Sequence, residues 1–119
     1  MTLYHDLIMD HYRNPRNFDC KNRICSTSSS RHNPSCGDKI DINVKIVDNT
    51  IVDICFDGFG CALSTASASM LTEYVKGKSI DEVNKLNKEF VVNLLGIEVT
   101  PIRLKCALLP LETIQDAIK

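Results

Sequence analysis

The chain opens with Leu3, Leu7 and His11 four residues apart, and with Tyr4, Ile8 and Tyr12 in step beside them. That is the spacing of one helical face, so a helix is predicted over about residues 2–13. It ends at Asn14-Pro15, because the residue before a proline is pushed out of the α region. From Cys20 to Ser35 no apolar period is present, and Ser26-Thr27-Ser28-Ser29-Ser30 makes the stretch read as a mobile loop in preference to a short edge strand. Ile40, Ile42, Val44 and Ile46 then alternate with Lys39, Asp41, Asn43 and Lys45, the pattern of a half-buried strand. Asp48-Asn49 supplies a turn. Val52, Ile54 and Phe56 resume the alternation, which predicts a hairpin that breaks at Gly58-Phe59-Gly60.

A helix follows over Ala62 to Lys76, with Ala66, Met70 and Val75 near one side and Gly77 at its C-terminal end. Ser79-Ile80-Asp81-Glu82 is a capping box that starts a short helix, and Asn87 caps a third that ends at Gly96. Pro101 reads as interrupting an extended stretch from Ile97 to Leu104. The last helix is predicted to begin near Cys106, with Ala107, Leu111, Ile114 and Ile118 on one face. Pro110 then falls in the first turn, where its missing N–H has no helical partner. Strands and helices are segregated. The expected class is therefore α+β: one domain over residues 1–119, a small antiparallel sheet with helices packed on one face.

Composition narrows the function more than the fold. With 44% hydrophobic and 24% charged residues, the 119-residue chain has room for one ordinary globular core. A formal net charge of −1 gives no field to gather nucleic acid, and no basic block suits an anionic membrane surface. No apolar run approaches the ~20 residues of a membrane span. Met1 to Asp6 lacks a basic-then-apolar leader, so the cytoplasm is the expected compartment. The six cysteines, about 5% of the chain, fall below the ~8–10% of a disulfide scaffold. In a reducing compartment they are core hydrophobes, metal ligands or reactive thiols.

Context separates them. Cys36 and Asp38 lie in Asn33-Pro34-Ser35-Cys36-Gly37-Asp38, just before the first clear strand. Residues two apart in extended backbone point the same way, so a thiolate and a carboxylate face one metal, with Gly37 letting the backbone come close. Cys61 sits between the Gly-Phe-Gly break and a helix start, and Cys106 is expected to open the last helix. A helix N-terminus favours thiolate, which is both metal ligand and nucleophile. A single cysteine is as often a small buried hydrophobe. Three at element junctions, one beside an aspartate, make ligation the stronger reading, although no CxxC pair advertises it. Cys20, Cys25 and Cys55 read as bystanders, two in the polar stretch and one off the apolar parity of its strand. His5 and His11 read as ordinary helix residues, and His32 as the best auxiliary ligand among the histidines. Asp48, Asp53 and Asp57 read as solvent-facing charges.

At these residues the chain resembles the iron–sulfur scaffold proteins of the IscU, SufU and NifU N-terminal type. Leu3-Tyr4 through Asp10-His11-Tyr12-Arg13-Asn14-Pro15-Arg16-Asn17 is similar to the family's opening helix and its exit. Asn33 to Asp38, Gly58-Phe59-Gly60-Cys61-Ala62-Leu63-Ser64-Thr65-Ala66-Ser67-Ala68-Ser69 and Arg103-Leu104-Lys105-Cys106-Ala107 are similar to its three ligand motifs, in the same order. The resemblance implies a SufE/NifU-like α+β fold with Cys36, Asp38, Cys61 and Cys106 clustered at one end. It implies zinc or a [2Fe–2S] cluster there, and a cysteine desulfurase, an iron donor and apo-protein acceptors as partners. IscU-type members carry histidine before the last cysteine. Lys105 and Arg103 instead look SufU-like, although SufU-type proteins usually carry an extra segment that this chain is too short to hold. Val99-Thr100-Pro101-Ile102-Arg103 lacks the full Leu-Pro-Pro-Val-Lys motif, so no dedicated Hsp70 partner is expected.

Three functions follow. A transient scaffold would use the hard Asp38 carboxylate as a weak bond to soft cluster iron, which suits an assembly that must leave. A zinc-dependent sulfur carrier would free one thiolate, that of Cys106, to accept persulfide sulfur, with Lys105 and Arg103 in support. A structural zinc module that only mediates binding ranks third, because a structural site has no need of an aspartate ligand.

Overall fold

The computed structural model describes residues 3–20, 26–34 and 37–118. Its elements run α1 (Leu3–Arg13), β1 (Thr27–Asn33), β2 (Asp38–Val47), β3 (Thr50–Phe59), α2 (Ala62–Val75), α3 (Ile80–Asn84), α4 (Lys88–Leu95) and α5 (Pro101–Ile118). The strands form one antiparallel sheet in the order β1-β2-β3.

β2 and β3 form the predicted hairpin. Asp48 and Asn49 have φ of 52° and 63°, the two left-handed residues of a tight turn whose twist matches that of the flanking strands. One detail departs from simple alternation. The register shifts between Lys45 and Ile46, so that Lys45 faces Asp53 and Ile46 faces Ile51. Val52 is the extra residue of this bulge and is 42% exposed, while Ile51 takes its expected place in the core.

The stretch expected to be a loop contains a strand. Thr27–Asn33 pairs with β2 from Thr27 opposite Val44 to Asn33 opposite Asp38. No apolar face holds it. Its backbone ladder does, together with the Ser30 hydroxyl on Asp41 and Arg31 on Asp116 of α5. The last helix also begins earlier than expected. Pro101 occupies its first position rather than breaking the chain, since a missing N–H costs nothing there. Thr100 accepts at this end from the Leu104 N–H (2.8 Å). Two corrections follow: Cys106 lies in the second turn of α5 rather than at its start, and Pro110 lies in the helix interior. Near that proline the Ala107 and Leu109 carbonyls accept from the Ser67 and Thr113 hydroxyls, both at 2.7 Å.

The caps read from sequence are present. Ser79 and Glu82 form the capping box of α3, Asn87 caps α4, and Gly96 ends α4 with φ of 69°. Ile40, Ile42 and Val44 of β2 meet Ile54 and Phe56 of β3 in the core, under Leu71 and Val75 of α2 and Ala107, Leu111 and Ile114 of α5. α1 packs on α2 through Ile8 and the buried His11, whose Nδ1 is 2.7 Å from Ser69 Oγ. The helices cover one face of the sheet, and Lys39 and Lys45 are exposed on the other. No described helix is long and apolar enough to cross a membrane.

Candidate metal centre

Three elements deliver side chains to one point at the end of the sheet. Asp38 begins β2 on the same face as Ile40, Ile42 and Val44, and is therefore carried inward to 1% exposure. A buried carboxylate needs donors. It finds one in the Cys61 N–H, which donates to Oδ1 at 3.0 Å. Oδ2 is left 3.9 Å from Cys61 Sγ.

Cys61 is the N-cap of α2. Its backbone is extended (φ −70°, ψ 169°), and its sulfur stands where a serine or aspartate oxygen usually caps, accepting from the Ser64 N–H at 3.4 Å. The residue is exposed. Cys106 approaches from the second turn of α5, is 3% exposed, and has Sγ 4.0 Å from the Ile102 carbonyl. Ligand atoms of Asp38, Cys61 and Cys106 all lie within 4.8 Å of one another. A tetrahedral ion with bonds of about 2.0–2.3 Å spaces its ligand atoms by about 3.3–3.8 Å. Small side-chain movements would close the set on such an ion. A cavity of about 300 Å³ lined by Cys61, Ala62, Leu63, Ile102, Arg103 and Cys106 gives access.

The structure brings together three of the four expected ligands. Cys36 lies outside the described residues, as does Cys25. Gly37, next to Cys36, has φ of 73° and donates its N–H to the Asn33 carbonyl at 2.9 Å. A Cβ there would meet nothing within 4 Å, so its glycine serves the left-handed turn and not a close approach. Arg103 lines the access cavity. Lys105 does not: it is exposed and shares a separate cavity of about 290 Å³ with Arg31, His32 and Glu112. His32 is exposed on β1 and is not among the three clustered ligands. Cys20 and Cys55 are not bystanders, for a disulfide joins them. Cys55 keeps the parity read from the sequence but is 1% exposed.

Sequence reading missed Gly60. A Cβ at this position would lie 2.9 Å from both Asp38 Oδ1 and Ser64 Oγ. The bare Cα is what lets the Cys61 N–H reach the carboxylate. The Gly-Phe-Gly break directly before a cysteine and a helix was the available signal.

Comparison with known proteins gives consistent matches. The family model "NifU-like N terminal domain" matches residues 3–119. The "Zinc-dependent sulfurtransferase SufU" of Bacillus subtilis (strain 168) is 35% identical over 134 aligned positions, covering 98% of this chain and 90% of the relative. That alignment is longer than the chain, so the relative carries residues this chain lacks. The "Iron-sulfur cluster assembly enzyme IscU" of Drosophila melanogaster is 38% identical, covering 100% of this chain and 75% of the relative. A solved structure described as a putative iron-sulfur cluster assembly scaffold protein for the SUF system, from Fervidobacterium islandicum AW-1, superposes with a TM-score of 0.76 at 26% identity. It covers 96% of this chain and 95% of that one.

Proposed function

The chain belongs to the NifU-like N-terminal domain family, and on that premise we propose that it is an iron–sulfur cluster assembly scaffold. In this role it takes sulfur from a cysteine desulfurase and iron from a donor, holds the nascent [2Fe–2S] cluster as cargo, and passes it to apo-proteins in the cytoplasm. The observation that carries the proposal is the meeting of one buried carboxylate and two thiols, from three separate elements, within 4.8 Å.

The division of labour follows from the donors. Cys61 and Cys106, with Cys36 two residues before Asp38 in the sequence, supply soft sulfur, and Asp38 supplies a hard oxygen poorly matched to cluster iron. Asp38 is oriented by the Cys61 N–H on Oδ1, which leaves Oδ2 toward the Cys61 sulfur. The weakest bond to the cargo is thus also an oriented one, which favours orderly release over random loss.

A second reading, zinc-dependent sulfur transfer, draws on the Bacillus relative and on Arg103 beside the access cavity. The same four residues suit zinc, which when bound would keep the thiols deprotonated. Cys106 is the proposed acceptor, reached through the cavity. Its thiolate attacks the outer sulfur of the desulfurase persulfide, the S–S bond breaks, and the desulfurase cysteine leaves as thiolate. Arg103 offers positive charge beside that exchange.

Incubation with a cysteine desulfurase, cysteine and ferrous iron, followed by visible and Mössbauer spectroscopy, separates the readings. Cluster bands, with slower cluster transfer from Asp38→Ala, support the scaffold. Persulfide on Cys106 with zinc retained supports the carrier. Neither product, with the fold intact, would sink both.

A further inference from the structure

Residues Asn17 to Cys20 lie along the outer edge of β3. The Phe56 N–H donates to the Asn17 carbonyl at 2.9 Å, and the Asp19 N–H donates to the Phe56 carbonyl at 3.0 Å. The Cys20 N–H donates to Asp57 Oδ2 at 3.3 Å. Phe18 meets Phe56 edge to face, with ring centroids 5.3 Å apart. Asn17 and Asp19 have φ of 58° and 77°, a left-handed conformation that asparagine and aspartate adopt more readily than other L-residues. At its start the segment is also tied to α2, where the Asn17 side chain donates to Thr72 Oγ1 and accepts from Lys76 Nζ, both at 3.2 Å. At its end the tie is covalent: the Cys20–Cys55 disulfide, with Cα atoms 5.5 Å apart across 35 residues of chain. The two residues differ in burial: Cys55 is 1% exposed, while Cys20 is only half-buried. Phe18 and Phe56, with Tyr12, Ile40, Phe59 and Gly60, line a cavity of about 260 Å³ that borders the metal centre at Gly60.

We propose that Cys20 and Cys55 form a thiol–disulfide exchange site for small or protein dithiols, whose state sets whether Asn17–Cys20 stays fastened to β3 and Phe18 walls the cavity. Reduction begins with attack of a dithiol's thiolate on the sulfur of Cys20, the less buried residue of the two. The bond to Cys55 breaks, and Cys55 leaves as thiolate and takes up a proton. The dithiol's second thiolate then attacks its own sulfur in the mixed disulfide. Cys20 is released and protonated, and the reagent departs as a cyclic disulfide. Two electrons and two protons have passed to the pair, and a small-molecule disulfide reverses the step through a mixed disulfide on Cys20. In a reducing compartment, the one expected from the sequence, a disulfide is more often a sensor than a permanent staple. The inference goes beyond the scaffold proposal and does not depend on it, because neither sulfur belongs to the clustered ligands.

The test equilibrates the native protein in graded ratios of reduced to oxidised dithiothreitol, quenches with acid, alkylates the free thiols under denaturing conditions, and maps them by peptide mass spectrometry, with circular dichroism before the quench reporting the fold. Cys20 and Cys55 should become labelled together while the protein remains folded. Hydrogen exchange should then show loss of protection at the Asp19, Cys20 and Phe56 amides, with the β2–β3 ladder unchanged. Cys20→Ser should show the same loss without reductant, and it leaves buried Cys55 in place should Cys55→Ala fail to fold. A pair that resists labelling until global unfolding would overturn the proposal. So would reduction, or Cys20→Ser, without any change at Phe56. Either result would leave the cluster and persulfide experiments standing.

Discussion

Replacing Gly60 with alanine tests whether the closeness of β3 to α2 builds the metal centre. The added carbon would lie 2.9 Å from Asp38 Oδ1, 2.9 Å from Ser64 Oγ and 3.1 Å from Asp38 Cγ, all inside ordinary van der Waals contact. Gly60 is not among the glycines with positive φ, so the backbone accepts alanine and the penalty is steric. Asp38 and Ser64 are both buried, with no solvent to retreat into. The carboxylate must shift away from the Cys61 N–H that now donates to it at 3.0 Å. Overpacking of this kind costs about 1–3 kcal/mol. Disturbing groups that orient a metal ligand typically lowers metal affinity about 10–100-fold. The assay is zinc competition against a chromophoric chelator, alongside circular dichroism and urea unfolding. The expected result is zinc binding weakened about 10–100-fold with helix content retained. Adding Ser64→Ala removes one of the two clashes, so stability should partly return while zinc binding stays weak. Zinc affinity equal to the parent's in Gly60→Ala would refute the placement of Asp38 among the ligands. Unchanged stability would refute the steric argument itself.

Three further outcomes are expected. Burial foremost, and then the Arg16 charge, holds the His11 pKa below its ordinary value against the opposing pull of Glu73 and Asp10. The unfolded chain therefore binds more protons just below about pH 6.5, and stability falls as pH drops through that value toward the native pKa. Urea midpoints should decline on acidification, and His11→Gln should flatten the decline; an identical slope would exclude His11 as the source. Arg31 holds Asp116 through two bonds of 2.5 and 3.2 Å and lies 3.5 Å from Glu112, so Arg31→Ala should loosen β1 from α5. The pair is part-exposed, and the loss should be about 0.5–1 kcal/mol and shrink in high salt, read by urea unfolding at two ionic strengths. Ser79→Ala removes the capping box of α3 and should cost about 1 kcal/mol in the same assay.

Much of the architecture was legible because it is written in periods and caps. The alternation of Ile40, Ile42 and Val44 gave β2, and Ser79, Asn87 and Gly96 marked helix ends where the caps lie. The 3.6-residue stripe of α5 named Ala107, Leu111 and Ile114, all in the core. What failed was punctuation with two meanings. Pro101 stops a helix that precedes it and equally starts one that follows, and only the burial of Cys106 and Ala107 in the folded chain decides. Val52 was misplaced because a bulge leaves no mark in composition. At the site, Cys61 was readable at its junction, but its meeting with Asp38 depends on the β2–β3 register, and that of Cys106 on where α5 begins, which no local pattern encodes. The Cys20–Cys55 bond was hidden for the same reason, since pairing across 35 residues is a property of the folded chain.

The property that concealed β1 also has a use. An outermost strand bares a row of amides and carbonyls that another molecule can extend, and proteins guard such rims with charge and poor stickiness. Here the far rim, along β3, is partly shielded by Phe18 and Ser79. The near rim is Thr-Ser-Ser-Ser-Arg-His-Asn, with Ser28, Ser30, Arg31 and His32 facing water. A greasy ribbon in that place would have been easy to recognise, and it would also have invited stacking between copies crowded together in a cell. Hydroxyls keep the sheet three strands wide, at the expense of leaving no hydrophobic signature by which to find it.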